Sequence, residues 1–239
     1  MSIFKAYDIR GIYNKDFDKE TAYKIGYYLP DVVESENALV GYDIRKSSPE
    51  IFDYLTRGLI DRGIKVFSMG LATTPSVYFN TVEGDFDLSI QITASHNSKE
   101  YNGMKISRKK ALPVGYDTGL DKLEKLVNNS DLDLEEISAK NMKDTVKDYH
   151  GQYKYLNFLK DHQPDIDSLE IIMDASNGMA ALFLNDIFGD EVDYINYEMN
   201  GDFPGHDPNP MKEENLAEIR KNIENNNYDI GVVYDGDGD

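Results

Sequence analysis

Short apolar runs alternate with segments of helical periodicity along the first half of the chain. The runs at 38–43, 64–69 and 87–93 predict buried strands. Ser48-Pro49 and Thr74-Pro75 each resemble a helix N-cap followed by a proline at the first helical position, which places a helix after each of the first two strands. A further helix is indicated by apolar residues at helical spacing, namely Leu120, Leu123 and Val127.

The second half repeats this alternation with different residues. A helix is indicated by Tyr153, Leu156 and Leu159. The elements that follow are a strand at 169–175, a helix from Gly178, a strand at 191–196, a helix at 213–225 and a strand at 228–234. Apolar strands separated by amphipathic helices are typical of parallel sheets that helices cover on both faces.

A polar, charge-rich segment at 128–147 separates the two halves. We therefore predict an α/β fold of two consecutive three-layer α/β/α domains with mixed, mainly parallel sheets. The predicted domains comprise residues 1–147 and 148–239. A chain of this length is long enough for each half to bury a core of its own.

The composition disfavours several classes of protein. The formal charge is −19, from 25 basic and 44 acidic residues, and such a surface repels nucleic acid and anionic membranes. Cysteine is absent, which excludes disulfides and thiolate metal sites. No apolar stretch approaches the length of a membrane span, and MSIFKAYDIRG lacks the build of a signal peptide. We therefore expect a cytoplasmic protein without nucleic-acid or membrane partners.

A loop rich in hydrogen-bonding side chains follows the strand predicted at 87–93. In the segment 92–106, ITASHNSKEYNGMKI, the hydroxyl of Ser95 can project into a cleft just past the strand. Asn102-Gly103 predicts a tight turn that would bring Lys105 back beside Ser95. A hydroxyl beside an amine can act as nucleophile and base, or as phosphate carrier and proton shuttle. The alternative is a polar hairpin loop without chemistry. Further donors in the loop are His96 and Asn97.

The sequence DGDGD at 235–239 follows the last predicted strand. Its glycines let the backbone turn sharply, so that three carboxylates can point to one centre and hold a hard cation such as Mg²⁺. A solvated acidic end is one alternative. An EF-hand calcium loop is another, but a strand rather than a helix precedes the segment and the twelfth-position glutamate is lacking. The predicted ligands are Asp235, Asp237 and Asp239.

Two arginines stand out among the basic residues. Arg10 and Arg45 each follow an Asp-Ile pair, at the end of a candidate strand. Arginine is suited to forked contacts with phosphate oxygens, and such contacts would have to overcome the negative charge of the whole chain. The alternative is that both arginines belong to the solvated surface.

Six segments together resemble the α-D-phosphohexomutase superfamily, and in particular its phosphomannomutase/phosphoglucomutase branch. They are FKAYDIRG (4–11), VGYDIRKSS (40–48), TTP (73–75), TASHNSKEYNGMK (93–105), FPGHDPNP with ENL (203–216) and DGDGD (235–239). The segments occur in the family's order over the whole chain. The form AYDIRG and the glycine at 238 favour this branch over the glucosamine branch, whereas Ser98 stands where the family often has proline.

The resemblance implies a mechanism and a role for each site residue. Ser95 would carry a phosphoryl group, and Lys105 would be the general acid and base. One Mg²⁺ would be held by Ser95 together with Asp235, Asp237 and Asp239. Arg10 and His96 would line the transfer site, and Arg45 and Asn97 would contact substrate. The partners would be phosphorylated hexoses, interconverted between 1-phosphate and 6-phosphate, with glucose or mannose 1,6-bisphosphate as activator and intermediate.

The family has four domains, and this chain resembles the first two. We therefore expect a truncated form with little turnover, whose missing C-terminal domains or self-association would cover the cut edge. The alternative is a non-catalytic module of the same fold that binds a sugar phosphate or a divalent metal. In either case the mechanism requires that Ser95 and the aspartates of 235–239 face each other across one crevice.

Overall fold

The computed structural model describes residues 2–132 and 145–239. Seven strands form the first sheet, in the order β1-β5-β4-β2-β3-β7 with β6 beside β5. The strands are β1 (Ile9–Ile12), β2 (Asn37–Tyr42), β3 (Lys65–Leu71), β4 (Leu88–Ile92), β5 (Tyr101–Arg108), β6 (Leu112–Pro113) and β7 (Lys147–Asp148). The pairs of β2 with β3 and β4, and of β3 with β7, are parallel, and the pairs made by β5 are antiparallel.

Helices cover both faces of this sheet. They are α1 (Lys19–Tyr28), α2 (Ser48–Asp61), α3 (Thr74–Glu83) and α4 (Leu120–Asn128). In β2, Ala38 and Val40 belong to a large apolar cluster with α1, α2 and α4, whereas Leu39 belongs to a second cluster with Val77 of α3. This alternation is the period-2 pattern of a strand that is buried on both sides.

The second sheet is smaller and fully parallel, in the order β10-β8-β9. Its strands are β8 (Ile171–Asp174), β9 (Asp193–Ile195) and β10 (Ile230–Val233), and its helices are α5 (Gln152–Asp161), α6 (Leu184–Phe188) and α7 (Ala217–Asn226). A separate apolar cluster joins Ile171 and Met173 of β8 to Leu184 of α6. The predicted fold class of mixed, mainly parallel α/β sheets is confirmed.

The predicted helix starts lie one residue from the observed caps. Ser47 and Thr73 are the N-caps, and the prolines that follow lie in the first turn. Thr73 accepts a hydrogen bond from the amide of Ser76 at 3.1 Å. The Ser48 hydroxyl instead donates to the buried carboxylate of Asp43 at 2.7 Å, so this residue does not cap the helix.

The tight turn predicted at Asn102-Gly103 is wrong, because both residues lie within β5. Gly103 pairs with Arg10 of β1, and an added Cβ would lie 1.9 Å from the Ile9 carbonyl oxygen. The side chain of Asn102 is buried and donates to the hydroxyls of Ser47 and Ser48. The glycine therefore permits close strand pairing, and the chain reverses earlier, at residues 95–100. The sequence prediction also missed α1, and β1 continues through Arg10 rather than ending before it.

Part of the polar segment at 128–147, residues 133–144, lies outside the described residues. The predicted division at 147 passes through β7, which extends the first sheet by pairing with β3. The division into domains at this position stays a prediction. Among the helices of the described residues, none is long and apolar enough to cross a membrane.

The packing of α1 against α2 generates a prediction about stability. A Cβ at Gly58 would lie 2.2 Å from the Tyr23 carbonyl oxygen. We expect Gly58→Ala to lower the free energy of unfolding by about 2 kcal/mol, because the helices must separate. Gly63→Ala is the comparison: φ is +81° there and no atom is within 4 Å, so backbone strain alone should cost about 1 kcal/mol. Urea unfolding measures both, and equal losses would contradict the steric argument.

Candidate active site

Two loops from different sheets meet at the carboxyl ends of their strands. The loop after β4 carries Ser95, and the loop after β10 carries Asp235. The Ser95 hydroxyl donates to Asp235 Oδ2 at 2.6 Å, although the two residues are 140 positions apart. Both residues are buried, so this contact lies inside the crevice between the loops. The structure therefore brings together the serine and the acidic loop that the sequence singles out.

Ser95 is held in an uncommon backbone conformation. Its φ is +52°, in the left-handed region that favours glycine. The Ser95 amide donates to Thr93 Oγ1 at 2.9 Å, and the Thr93 hydroxyl donates to Asp43 Oδ2 at 2.8 Å. Strained residues persist only where the surroundings determine them fully, and they concentrate at functional sites. Asp43 and Thr93 supply part of that support.

Arg45 supplies the rest of the support, and this contradicts the prediction that Arg45 binds substrate. Its side chain is fully buried and pairs with Asp43, Nε to Oδ2, at 3.0 Å. The remaining four N–H groups donate to backbone carbonyls of the serine loop, those of Ser95, Asn97, Ser98 and Tyr101, at 2.7 to 3.2 Å. All five donors are used within the protein, so the guanidinium shapes the loop and offers nothing to a ligand.

The three aspartates of the acidic loop form a cluster that suits a cation. Ligand atoms of Asp235, Asp237 and Asp239 lie within 4.8 Å of one another. Asp237 is fully buried, yet its Oδ1 has no hydrogen-bond partner among the described residues. An unpaired buried carboxylate oxygen is costly unless a cation completes its contacts. The residues therefore fit a hard divalent ion.

The glycines of the loop allow its approach to the serine. A Cβ at Gly236 would lie 2.7 Å from the Ser95 carbonyl oxygen. Gly238 has φ +83°, and a Cβ there would lie 2.8 Å from Thr73 Cγ2. A side chain at either position would push the aspartates away from Ser95.

The pKa values of Asp235 and Asp237 shift in opposite directions. Burial, together with the charges of Asp237 and Asp239, raises the pKa of Asp235 to about 8. Burial also acts to raise the pKa of Asp237, but the adjacent Lys105 ammonium outweighs it and the net direction is downward. The protein therefore stabilises the charged form of Asp237 and disfavours the charged form of Asp235.

Lys105 lies on β5 and reaches the acidic loop. Its Nζ is 2.8 Å from Asp237 Oδ2 and 3.6 Å from Asp239 Oδ2. Burial acts to lower the pKa of Lys105, but these two carboxylates overcome it, so the net shift is upward. The amine is therefore held as an ammonium, which suits charge stabilisation and proton donation more than proton abstraction.

Thr74 is a contact of this site that the sequence interpretation missed. Its hydroxyl donates to Asp237 Oδ2, and its amide donates to the Asp237 carbonyl oxygen at 3.0 Å. The Thr-Thr-Pro segment indicates a helix start, and the structure places that N-terminus against the acidic loop. The amide end of a helix favours a negative charge nearby, so α3 stabilises Asp237.

Arg10, Asn97 and His96 line the open side of the serine loop. Arg10 Nη1 donates to Asn97 Oδ1 at 2.6 Å, Arg10 Nη2 pairs with Asp8, and Arg10 Nε is buried without a partner among the described residues. His96 Nδ1 lies 3.5 Å from Ser95 Oγ. Partial burial and the charge of Arg10 lower the pKa of His96, so its imidazole is neutral at pH 7. A cation and a neutral imidazole thus flank the serine.

The contacts of Arg45 generate a second prediction. Arg45→Lys keeps the charge but loses the fork that serves four carbonyls. We expect the free energy of unfolding to fall by about 3 kcal/mol, because buried acceptors and Asp43 lose partners. Lys46→Arg is the matched control, since its side chain is 72% exposed, and it should change stability by less than about 0.5 kcal/mol. Urea denaturation of both variants measures this, and equal stability would refute the role assigned to Arg45.

Models of one family match nearly the whole chain. The model described as phosphoglucomutase/phosphomannomutase, alpha/beta/alpha domain I, matches residues 1–133. The model of alpha/beta/alpha domain II of the same family matches residues 153–239.

Relatives with known names point the same way. A phosphomannomutase of Methanocaldococcus jannaschii is 35% identical over 100% of this chain and 53% of its own length. A phosphoglucomutase of Neisseria gonorrhoeae is 34% identical over 99% of this chain and 51% of its own length. The chain thus spans about half the length of these relatives.

Solved structures agree with the fold. A phosphoglucomutase/phosphomannomutase family protein of Burkholderia thailandensis superposes with a TM-score of 0.80 at 28% identity, over 98% of this chain and 52% of that one. A protein of Thermus thermophilus superposes with a TM-score of 0.83 at 22% identity, over 98% of this chain and 55% of that one, which supports the fold alone.

Proposed function

The chain belongs to the phosphoglucomutase/phosphomannomutase family, and we propose that it supplies the phosphoserine and the metal site of a magnesium-dependent mutase that interconverts hexose 1-phosphate and hexose 6-phosphate. The observation that carries this proposal is the 2.6 Å contact between Ser95 Oγ and Asp235 Oδ2. It joins a strained, buried hydroxyl to a cluster of three carboxylates. The relatives named phosphomannomutase and phosphoglucomutase support the substrate class.

In the proposed reaction Ser95 exchanges a phosphoryl group with a bisphosphorylated hexose. The P–O bond to the sugar breaks as the bond to Ser95 Oγ forms, the serine proton leaves, and the sugar oxygen gains a proton. The opposite step precedes it: the phosphoserine gives its phosphoryl group to the free hydroxyl of a hexose monophosphate, and the resulting bisphosphate reorients before its other phosphate passes to Ser95. Substrate and product therefore differ only in the position of one phosphate. The serine must therefore act as both acceptor and donor of the phosphoryl group.

The residues around Ser95 have different roles in the proposed reaction. Lys105, an ammonium, offsets negative charge on the phosphoryl group in transit and can donate a proton to the departing oxygen. Arg10 and Asn97 orient phosphate oxygens at the open side. His96 is the neutral group beside the serine and can accept its proton. The aspartates would hold Mg²⁺, which when bound offsets the charge of the transferring group.

The chain spans about half the length of its named relatives. This length affects the rate of turnover that we expect from the chain alone. Contacts to the distant end of a substrate normally help to position the reacting centre. We propose that these 239 residues alone accept a phosphoryl group on Ser95 but turn over hexose phosphates slowly.

Transfer to Ser95 is tested by intact mass. After incubation with glucose 1,6-bisphosphate and Mg²⁺, the protein should gain the mass of one phosphoryl group, and Ser95→Ala should gain none. Ser98→Ala, in the same loop, is the matched control and should be labelled like the wild type. Absence of label on the wild type, with divalent-cation binding retained, would favour a non-catalytic binding module.

The metal assignment is tested by titration calorimetry with Mg²⁺ or Mn²⁺. Asp237→Asn removes one buried charge and should weaken binding at least about tenfold. Asp167→Asn, an exposed aspartate, is the control and should leave the affinity unchanged. Chelation of the metal should also stop the labelling of Ser95. Unchanged affinity in Asp237→Asn would remove the acidic loop from consideration as the metal site.

A further inference from the structure

Residues 200–210, here called the bridging segment, contact both halves of the candidate site. Gly201 packs on the backbone before Arg45, where a Cβ would lie 2.4 Å from the Ile44 carbonyl oxygen. The buried ring of Phe203 lies 5.0 Å from the Arg45 guanidinium carbon, a cation–π contact. Because Arg45 holds the serine loop, this end of the segment supports the backbone around Ser95.

The other end of the bridging segment supports the acidic loop. Pro208 is buried, and its ring lies 3.4 Å from where a Cβ of Gly236 would be. Gly236 in turn lies against the Ser95 carbonyl oxygen. The segment therefore packs against both loops. The distance between these loops decides whether Ser95 contacts the aspartates.

His206 anchors the bridging segment through its Nε2, while its Nδ1 bonds within the segment. Its Nε2 lies 3.0 Å from Asp174 Oδ2, and its Nδ1 lies 2.7 Å from the Asp207 carbonyl oxygen. A carbonyl oxygen only accepts and an ionised carboxylate only accepts, so both nitrogens must donate, which requires an imidazolium. Asp174 is fully buried and also accepts from the Ser176 amide and from Asn196.

Asp174 connects this anchor to the acidic loop. It is the last residue of β8, and its carbonyl oxygen accepts from the Tyr234 amide at 3.0 Å. The Ser176 hydroxyl donates to the Tyr234 carbonyl oxygen at 2.5 Å. Tyr234 directly precedes Asp235. The imidazolium thus fixes the bridging segment to the residues from which the acidic loop begins.

We propose that His206 is a positioning residue, whose protonated ring locks the bridging segment onto Asp174 and thereby sets the approach of the acidic loop to Ser95. The proposal deepens the proposed function, on which its catalytic readout rests. The residue touches no reacting atom. Its role is to keep Asp235 within hydrogen-bond distance of Ser95.

The lock depends on pH in a defined direction. The hydrogen bond to Asp174 raises the pKa of His206, burial opposes the shift, and the Asp207 carbonyl and the charges of Asp174 and Glu218 add to it. A group whose pKa is higher in the folded state stabilises it below the unfolded pKa of about 6.5. That contribution is lost as the pH rises through the folded pKa, so the lock weakens on the alkaline side.

Hydrogen exchange of backbone amides tests the proposal without requiring activity. In His206→Leu, protection factors in 200–210 and in 235–239 should fall at least about tenfold, while those of β2 and β4 stay unchanged. His206→Gln retains one donor toward Asp174 and should recover part of the protection. In the wild type, protection of the same two segments should fall as the pH rises through the folded pKa of His206. His150→Gln, an exposed histidine, is the control and should match the wild type.

The second readout is the rate of Ser95 phosphorylation, measured by intact mass at several pH values. We expect the rate to fall at least about tenfold in His206→Leu. In the wild type the rate should decline on the alkaline side, and in His206→Gln it should no longer do so.

If 200–210 loosens while 235–239 keeps its protection, the proposal is overturned. If His206→Leu does not fold, His206→Gln decides, and full protection with an unchanged pH profile refutes the lock. Absence of label on the wild type counts against the proposed function, whereas exchange still decides on His206.

Discussion

The buried guanidinium of Arg45 is the interaction on which the rest of the site depends. It forms an ion pair with the buried carboxylate of Asp43 and donates hydrogen bonds to four backbone carbonyls of the serine loop. Regular strand pairing could not supply donors to all of these carbonyls. A lysine has neither the number nor the geometry of donors for this. With those carbonyls paired, the backbone can hold Ser95 at φ +52°, a conformation that would otherwise relax. The strain at the serine is thus supported by this desolvated ion pair and its hydrogen bonds to the loop.

The second constraint is charge. The chain carries −19 overall and gathers three closely spaced carboxylates at the serine, so the proposed phosphorylated ligand would meet repulsion until it is within reach of Arg10 and Lys105. Lys105 lowers the pKa of Asp237, whereas burial and the charges of Asp237 and Asp239 raise the pKa of Asp235 to about 8. The protein therefore presents a site whose own cations are fewer than its anions. In the proposed function a divalent ion would supply the missing positive charge, at the place where a phosphoryl group would add further negative charge.

The elements with strong apolar character could be predicted from the sequence, and the chemistry-bearing loops followed from their positions at strand ends. Ser95 and the DGDGD loop were found in this way because the strands before them are short and apolar. The failures have a common cause, which is that local signals do not report tertiary partners. Asn102-Gly103 carries a turn signal, but here the glycine admits the Ile9 carbonyl. Arginine is a common ligand of phosphate, and only the fold shows that the N–H donors of Arg45 are all bonded within the protein. Thr74 has a capping signal that conceals its contact with Asp237.

The two halves have separate apolar clusters, and a polar contact joins the serine to the aspartates. Such contacts are strong only when every member is satisfied. In this network Arg45, Asp174 and His206 are saturated, whereas Asp237 Oδ1 is buried without a partner among the described residues. One unsatisfied oxygen thus lies in the cluster where a cation would bind, and Arg10 Nε is a second atom left unpaired within the described part of the chain, on the open side of the serine loop. An unpaired oxygen of Asp237 is expected if the acidic loop is completed by a ligand, because a loop that paired all its oxygens internally would have no coordination left to offer.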